Sequence, residues 1–258
     1  MTQTTTPPAT ASALPLFYSA PVLLRFQEHA GYGFRKGGDL RFTAGATAIP
    51  LTLSEFAAAG RQYPIVFSSD DLAAPLAVTG LNAGRNLFVS PEGTWREGYY
   101  IPAYVRRYPF ISVEIEAGGP KMLGVDSASE FISTTAAADD ADPFFDAQGG
   151  PTERTRGAMA FCEAYAIEHD RTRAFSQALL DHNLLVAKTA EVTYADAGKA
   201  VVTGFRVIDD EAFAALPEKT VLEFHAKGWL ASIILHQASR LGWGGLVDSA
   251  AGERPKAA

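Results

Sequence analysis

The hydrophobic pattern changes period once along the chain, and that switch limits the possible folds more than any other feature. From residue 63 to residue 126 apolar residues come in short runs cut by turn-forming ones. Tyr63-Pro-Ile-Val-Phe67, Pro75–Leu81 and Asn86-Leu-Phe-Val89 are strand-sized, and Asn82-Ala-Gly-Arg85 between the last two reads as a turn. Ile111-Ser-Val-Glu-Ile-Glu116 alternates apolar and polar, the period of a half-buried strand. Lys121–Asp126, after Gly118-Gly-Pro120, suits its hairpin partner. Ahead of these, Ser54 is placed to cap a short helix that ends at Gly60.

After Gly149-Gly-Pro151 the spacing becomes three and four. Ala158, Phe161, Cys162, Tyr165, Phe175 and Leu179 share one helical face. A break is expected near Asp170, with Thr172 opening a second helix. Glu191–Tyr194 and Lys199–Phe205 flank Ala195-Asp-Ala-Gly198, a β-hairpin signal. Asp209 is placed to cap a helix over 210–216, and Pro217 to start another that runs to Leu241 and stops at Gly242. The reading is α+β: a β-rich N-terminal part followed by helices, a β-hairpin and a C-terminal helix.

A chain of 258 residues fits one large domain or two small ones. The expected division is a single domain over 15–246, with lobes at about 15–133 and 151–246 joined by an Ala/Asp-rich loop at 134–150. Disordered tails are expected over 1–14 and 247–258. One Cys cannot form an internal disulfide or a cysteine-rich zinc site. The net charge of −7 disfavours nucleic acid as a partner. The longest apolar stretch, Gly228–Leu235, is far short of the ~20 residues a membrane span needs. No basic, then apolar leader opens the sequence, so the expectation is a cytoplasmic protein, surface association requiring export without a signal.

Catalytic motifs are scarce. Gly31-Tyr-Gly-Phe-Arg-Lys-Gly-Gly38 begins like a dinucleotide loop but follows no strand, and reads as an ordinary turn. His225 and His236 return to nearly the same helical face, but about 16 Å apart, too far to share a metal. His169 reads as part of a solvated helix end, Cys162 as a buried inert thiol, and Asp209-Asp-Glu211 as a cap with favourable dipole charges. No metal and no cofactor is expected, and the reading leans away from an enzyme.

One segment stands apart. Trp95–Phe110 carries six aromatic residues and three Arg against a single Glu, an inversion of the charge balance of the whole chain. Aromatic faces beside guanidinium groups suit planar, sugar-like or anionic ligands, or a protein hot spot. Trp95, Tyr99, Tyr100, Tyr104, Arg106, Arg107 and Tyr108 are the candidate ligand or partner residues, the competing reading being that they brace the fold.

Tyr100-Ile-Pro-Ala-Tyr-Val-Arg-Arg-Tyr-Pro-Phe110 resembles the SapC family of bacterial proteins. Tyr63–Phe67, Asn86–Val89 with Gly93 and Trp95, Gly149-Gly-Pro-Thr152, Asp209-Asp-Glu211 and Gly228-Trp-Leu with His236 follow in the family's order, over residues 15–246. The family takes its name from an operon for a paracrystalline surface layer. The resemblance implies an accessory or binding protein tied to surface-layer or envelope biogenesis, with a protein or small-molecule partner, and carries over no catalytic residue. The rival readings are an enzyme acting on a peptide or carbohydrate, with Arg106 and Arg107 positioning an anionic group, and a structural component of the layer.

Overall fold

The computed structural model describes residues 14–115, 119, 121–193 and 199–252. The expected N-terminal tail over 1–13, the turn at 195–198 and residues 253–258 lie outside the described residues, as do two of the three residues of the 118–120 turn.

The first part of the chain is built from short pieces: β1 (Pro21–Leu23), α1 (Phe26–His29), β2 (Gly33–Phe34), β3 (Ala48–Pro50), α2 (Phe56–Ala59), β4 (Ile65–Ser68) and β5 (Pro75–Val78). One helical turn, α3 (Ala103–Arg106), then leads into the hairpin β6 (Phe110–Glu114) and β7 (Lys121–Asp126), followed by β8 (Ile132–Ser133) and β9 (Asp142–Pro143). The long helix α4 (Glu153–Asp181) precedes the hairpin β10 (Leu185–Thr193) and β11 (Lys199–Ile208). Four helices follow: α5 (Asp210–Ala214), α6 (Glu218–Ala226), α7 (Trp229–Ser239) and α8 (Gly242–Gly252). The architecture is α+β, as the change of period predicts.

The largest sheet is antiparallel, in the order β10-β11-β4-β5-β3, and so takes strands from both sides of the 134–150 loop. Its middle strand carries Ile65, Val66 and Phe67, all 3% exposed or less. Such an unbroken apolar run is what a strand covered on both faces requires. Phe175 and Leu179 of α4, Phe224 of α6, Ile233 of α7 and Leu246 of α8 complete this core. Each fully buried Phe or Leu contributes roughly 1.5–3 kcal/mol. A smaller core gathers Leu24, Phe110, Leu123, Val125, Ile132 and Phe144, with Cys162 supplied by α4. One helix thus serves both cores.

Several boundaries differ from the sequence reading, each for a local reason. Thr52, not Ser54, caps the helical turn Leu53–Glu55 that leads into α2, in a capping box with Glu55. Asn86–Val89 forms no strand. Asn86 is fully buried, donating to the Thr43 carbonyl and accepting from the Phe88 amide, so its side chain replaces ladder bonds. Helix α4 does not break near Asp170. The Thr172 hydroxyl donates to the Glu168 carbonyl and accepts from the Leu53 amide, which locks it inside the helix and against the preceding lobe. Gly228 adopts φ 73°, a left-handed geometry that ends α6 and splits the expected 217–241 helix in two. Gly242 opens α8 instead of ending α7. A Cβ there would lie 3.0 Å from the Pro64 nitrogen, tighter than an ordinary contact, so glycine eases the approach of the helix to the residues just before β4. Residues 247–252, expected as tail, are therefore helical, with Ala250 buried.

Candidate functional site

Glu55, at the end of the Thr52 capping box, organises the segment that composition singles out. Its carboxylate is 4% exposed and accepts four hydrogen bonds. The Thr52 amide and hydroxyl reach Oε2 at 2.7 and 2.9 Å. The Ala103 amide and the Tyr100 hydroxyl reach Oε1 at 2.6 and 3.0 Å. Ala103 opens α3 behind Pro102, so its amide has no partner inside the helix. Glu55 supplies one from 48 residues away. Burial first, and then the Glu55 charge, push the Tyr100 phenol upward.

Arg106 lies on the outer side of this knot. It donates from Nη2 to the Tyr100 hydroxyl at 3.0 Å and from Nε to the Ile101 carbonyl at 3.0 Å. Its guanidinium lies 5.6 Å from the Tyr100 ring centre and 5.3 Å from that of Phe161. The two residues border a cleft of about 180 Å³, which Tyr165 and Glu168 also line. Among the described residues no carboxylate comes within ion-pair distance of Arg106.

Arg107, one position on, turns inward. Its guanidinium sits 4.3 Å from the Tyr104 ring, 4.4 Å from Tyr165 and 5.6 Å from Tyr18. Its Nε is buried without a hydrogen-bond acceptor. Burial opposes its charge, but the surrounding phenol oxygens outweigh this and shift the group upward. The same burial raises the phenols of Tyr18 and Tyr165, and pushes the neighbouring Cys162 thiol up to about 11. Cys162 is therefore a protonated, inert thiol at neutral pH.

The remaining candidates divide in the same way. Trp95 is 6% exposed and donates from its indole to the Tyr63 hydroxyl at 3.2 Å, which in turn donates to the Tyr100 carbonyl. Tyr104 is buried and bonds the Leu16 carbonyl. Tyr108 stacks on Phe42 and donates to Asp126, whose carboxylate also holds the Ser19 and Ala20 amides. Tyr99, half-buried, packs against Phe88 and under Arg96. Of the seven, Tyr99, Tyr100 and Arg106 reach outward. Trp95, Tyr104, Arg107 and Tyr108 chiefly hold the segment in place.

Arg96, the third arginine of the segment but not among the seven candidates, borders another cavity. That cavity, about 690 Å³, lies between the 85–99 loop and α8, with Arg85, Tyr99, Asp248 and Ser249 in its wall. Arg96 lies inside the segment already noted, so composition could have found it. Asp248 and Ser249 come beside it because the expected tail over 247–252 is helical.

The histidines do not converge on a site. His169 lies in mid-helix, stacked on Tyr165, and burial lowers its pKa. His225 is exposed on α6, while His236 is fully buried on α7 beyond the Gly228 break. Among the described residues no three His, Cys, Asp or Glu side chains cluster closely enough to hold a metal. Gly33 sits in β2 because a Cβ would strike the Asp142 carbonyl of β9, so Gly31–Gly38 is strand and turn. No helix among the described residues is long and apolar enough to cross a membrane.

The sequence profile of the SapC family matches residues 24–246, which takes in most of both cores, the Glu55 knot and the whole aromatic segment. No curated protein and no solved structure gives a significant match.

Proposed function

The chain belongs to the SapC family, and from that premise we propose that it is a cytoplasmic accessory protein of surface-layer or envelope biogenesis. It binds a protein partner through Tyr99, Tyr100 and Arg106 and does no chemistry of its own. The observation that supports this reading is the state of Arg106. An exposed cation, with no carboxylate partner among the described residues, is held over two rings by two hydrogen bonds. Side chains fixed before contact lose little entropy on binding, and Arg beside Tyr is the composition of an interface hot spot.

The enzymatic alternative fares worse at the same place. Glu55 and Tyr100 are adjacent, as an acid–base pair would be, but a carboxylate has about four acceptor positions and Glu55 already receives four donors. A group so saturated has no capacity left to take a substrate proton.

The test is affinity capture from the source cells with mass-spectrometric identification, using the wild type, Arg106→Ala and Arg107→Ala. The expected result is that Arg106→Ala folds normally and loses the partner. Capture of the same partners by Arg106→Ala at wild-type yield would sink the contact-surface reading. Fractionation of the native cells tests the cytoplasmic placement.

A further inference from the structure

From the cavity beneath Arg96 we infer a second binding site, for a small anionic sugar carrying a phosphate or a carboxylate. Its wall shares Tyr99 with the proposed contact surface but no residue with the cleft beside Arg106, and the observations that support it are separate from those behind the partner proposal.

Four observations carry it. At about 690 Å³ the cavity falls within the size range of small-molecule sites. The Arg96 guanidinium borders it, and a planar fork of this kind recognises phosphate and carboxylate. Arg96 is already fixed, donating from Nη1 to the Ser249 hydroxyl at 2.9 Å with its guanidinium 4.7 Å from the centre of the Tyr99 ring. Among the described residues no carboxylate comes within ion-pair distance of it. The rest of the wall mixes the Tyr99 ring with Ser90, Thr94, Ser249 and Asp248. An aromatic face, hydroxyls and one carboxylate are groups that hold a hydroxylated ring by stacking and hydrogen bonding.

The fourth observation is Gly245. It lies inside helix α8, where glycine is the poorest choice after proline. Among the described residues nothing crowds it, for a Cβ at this position, as at Gly244 beside it, would meet no atom within 4 Å. Gly242, three residues earlier, shows the contrast, a Cβ there being crowded by the Pro64 backbone. Gly245 borders the Arg96 cavity and a neighbouring one of about 420 Å³, which also shares Phe88 and Tyr99. The absence of a side chain there leaves the helix backbone open to a ligand.

Calorimetric titration of the full chain with glucuronate, glucose 1-phosphate, glucose and inorganic phosphate tests this. At least one charged sugar should bind, with glucose and phosphate each weaker by about tenfold or more. Comparison of the two charged sugars shows which anion the site takes. Arg96→Ala should weaken binding by a similar factor, and so should Gly245→Leu. The second variant fills the groove while improving the helix, so its Tm should hold or rise, separating lost binding from lost folding. Arg106→Ala should leave the titration unchanged. Failure of both charged sugars to bind wild type at millimolar concentration overturns the inference. So does undiminished binding by Gly245→Leu, or phosphate binding as tightly as its sugar ester.

Discussion

Glu55 and Arg107 lie on either side of the single turn of α3, and the fold accommodates their charges in opposite ways. Glu55 is a nearly inaccessible anion whose acceptor positions are filled by four N–H and O–H donors. Arg107 has no such saturation. Its charge faces the π-clouds of Tyr18, Tyr104 and Tyr165, and one of its nitrogens stays unbonded. The difference follows from the ions. A carboxylate is compact and must be met by directed donors, whereas a guanidinium is flat and weakly hydrated and tolerates ring faces in place of acceptors. The first arrangement should therefore fail more steeply when altered.

The largest effect is expected from Glu55→Leu. It orphans two buried amides and a phenol at once, a loss of about 3–5 kcal/mol, measurable as a lower urea midpoint. Glu55→Gln should recover part of this, since its carbonyl still accepts. An equal loss from both variants would show that shape, not donor saturation, is what matters.

A third buried group sharpens the contrast by using neither device. His236 is fully buried against Phe67 with both ring nitrogens unpartnered, and it remains neutral. Burial pushes its pKa down to about 4, helped by Arg240 and opposed by Asp210. Its folded pKa lies below the unfolded value of about 6.5, so the unfolded chain binds the extra proton between these two values. The stabilisation is complete above pH 6.5 and drains away as the pH falls toward 4, by about 3 kcal/mol in all. His236→Leu should flatten that part of the pH–stability curve, as followed by thermal melts from pH 4 to 7.

Arg107→Met comes next, with a loss of about 2 kcal/mol in chemical denaturation, because three ring contacts disappear while the packing volume is largely kept. Arg107→Lys should restore little of it, since an ammonium cannot lie flat between two rings. The smallest effect is expected at the adjacent position. Arg106→Ala removes exposed contacts and should cost less than about 1 kcal/mol, leaving Tm nearly unchanged. If the two neighbouring arginines proved equally important for stability, the division into an inner and an outer face would be wrong.

That division was only half legible in the sequence. The density of rings and arginines marked residues 95–110, but α3 is one turn long, too short for periodicity to reveal which arginine faces inward. The Thr52-x-x-Glu55 spacing could have named the capping box, but not the Ala103 amide that the carboxylate meets across 48 residues. Elements with local causes were readable: the hairpins, the Asp209 cap and the Gly60 stop. The errors fell where a distant partner decides the outcome. Leu53 claims the Thr172 hydroxyl, Thr43 claims the Asn86 amide, and the Pro64 backbone crowds any side chain at 242.

The strand order of the large sheet also has a consequence for biosynthesis. Strand β4 pairs with β5, only a few residues later, along one edge, but its other edge waits for Phe205 and Arg206 of β11. At roughly 5–20 residues per second, a ribosome needs on the order of ten seconds to supply them. During that interval the nascent chain presents an unpaired, strongly apolar strand edge, a known template for aggregation. A chaperone holding the newly made first 200 residues should therefore raise the soluble yield, and its release should coincide with emergence of the 185–208 hairpin.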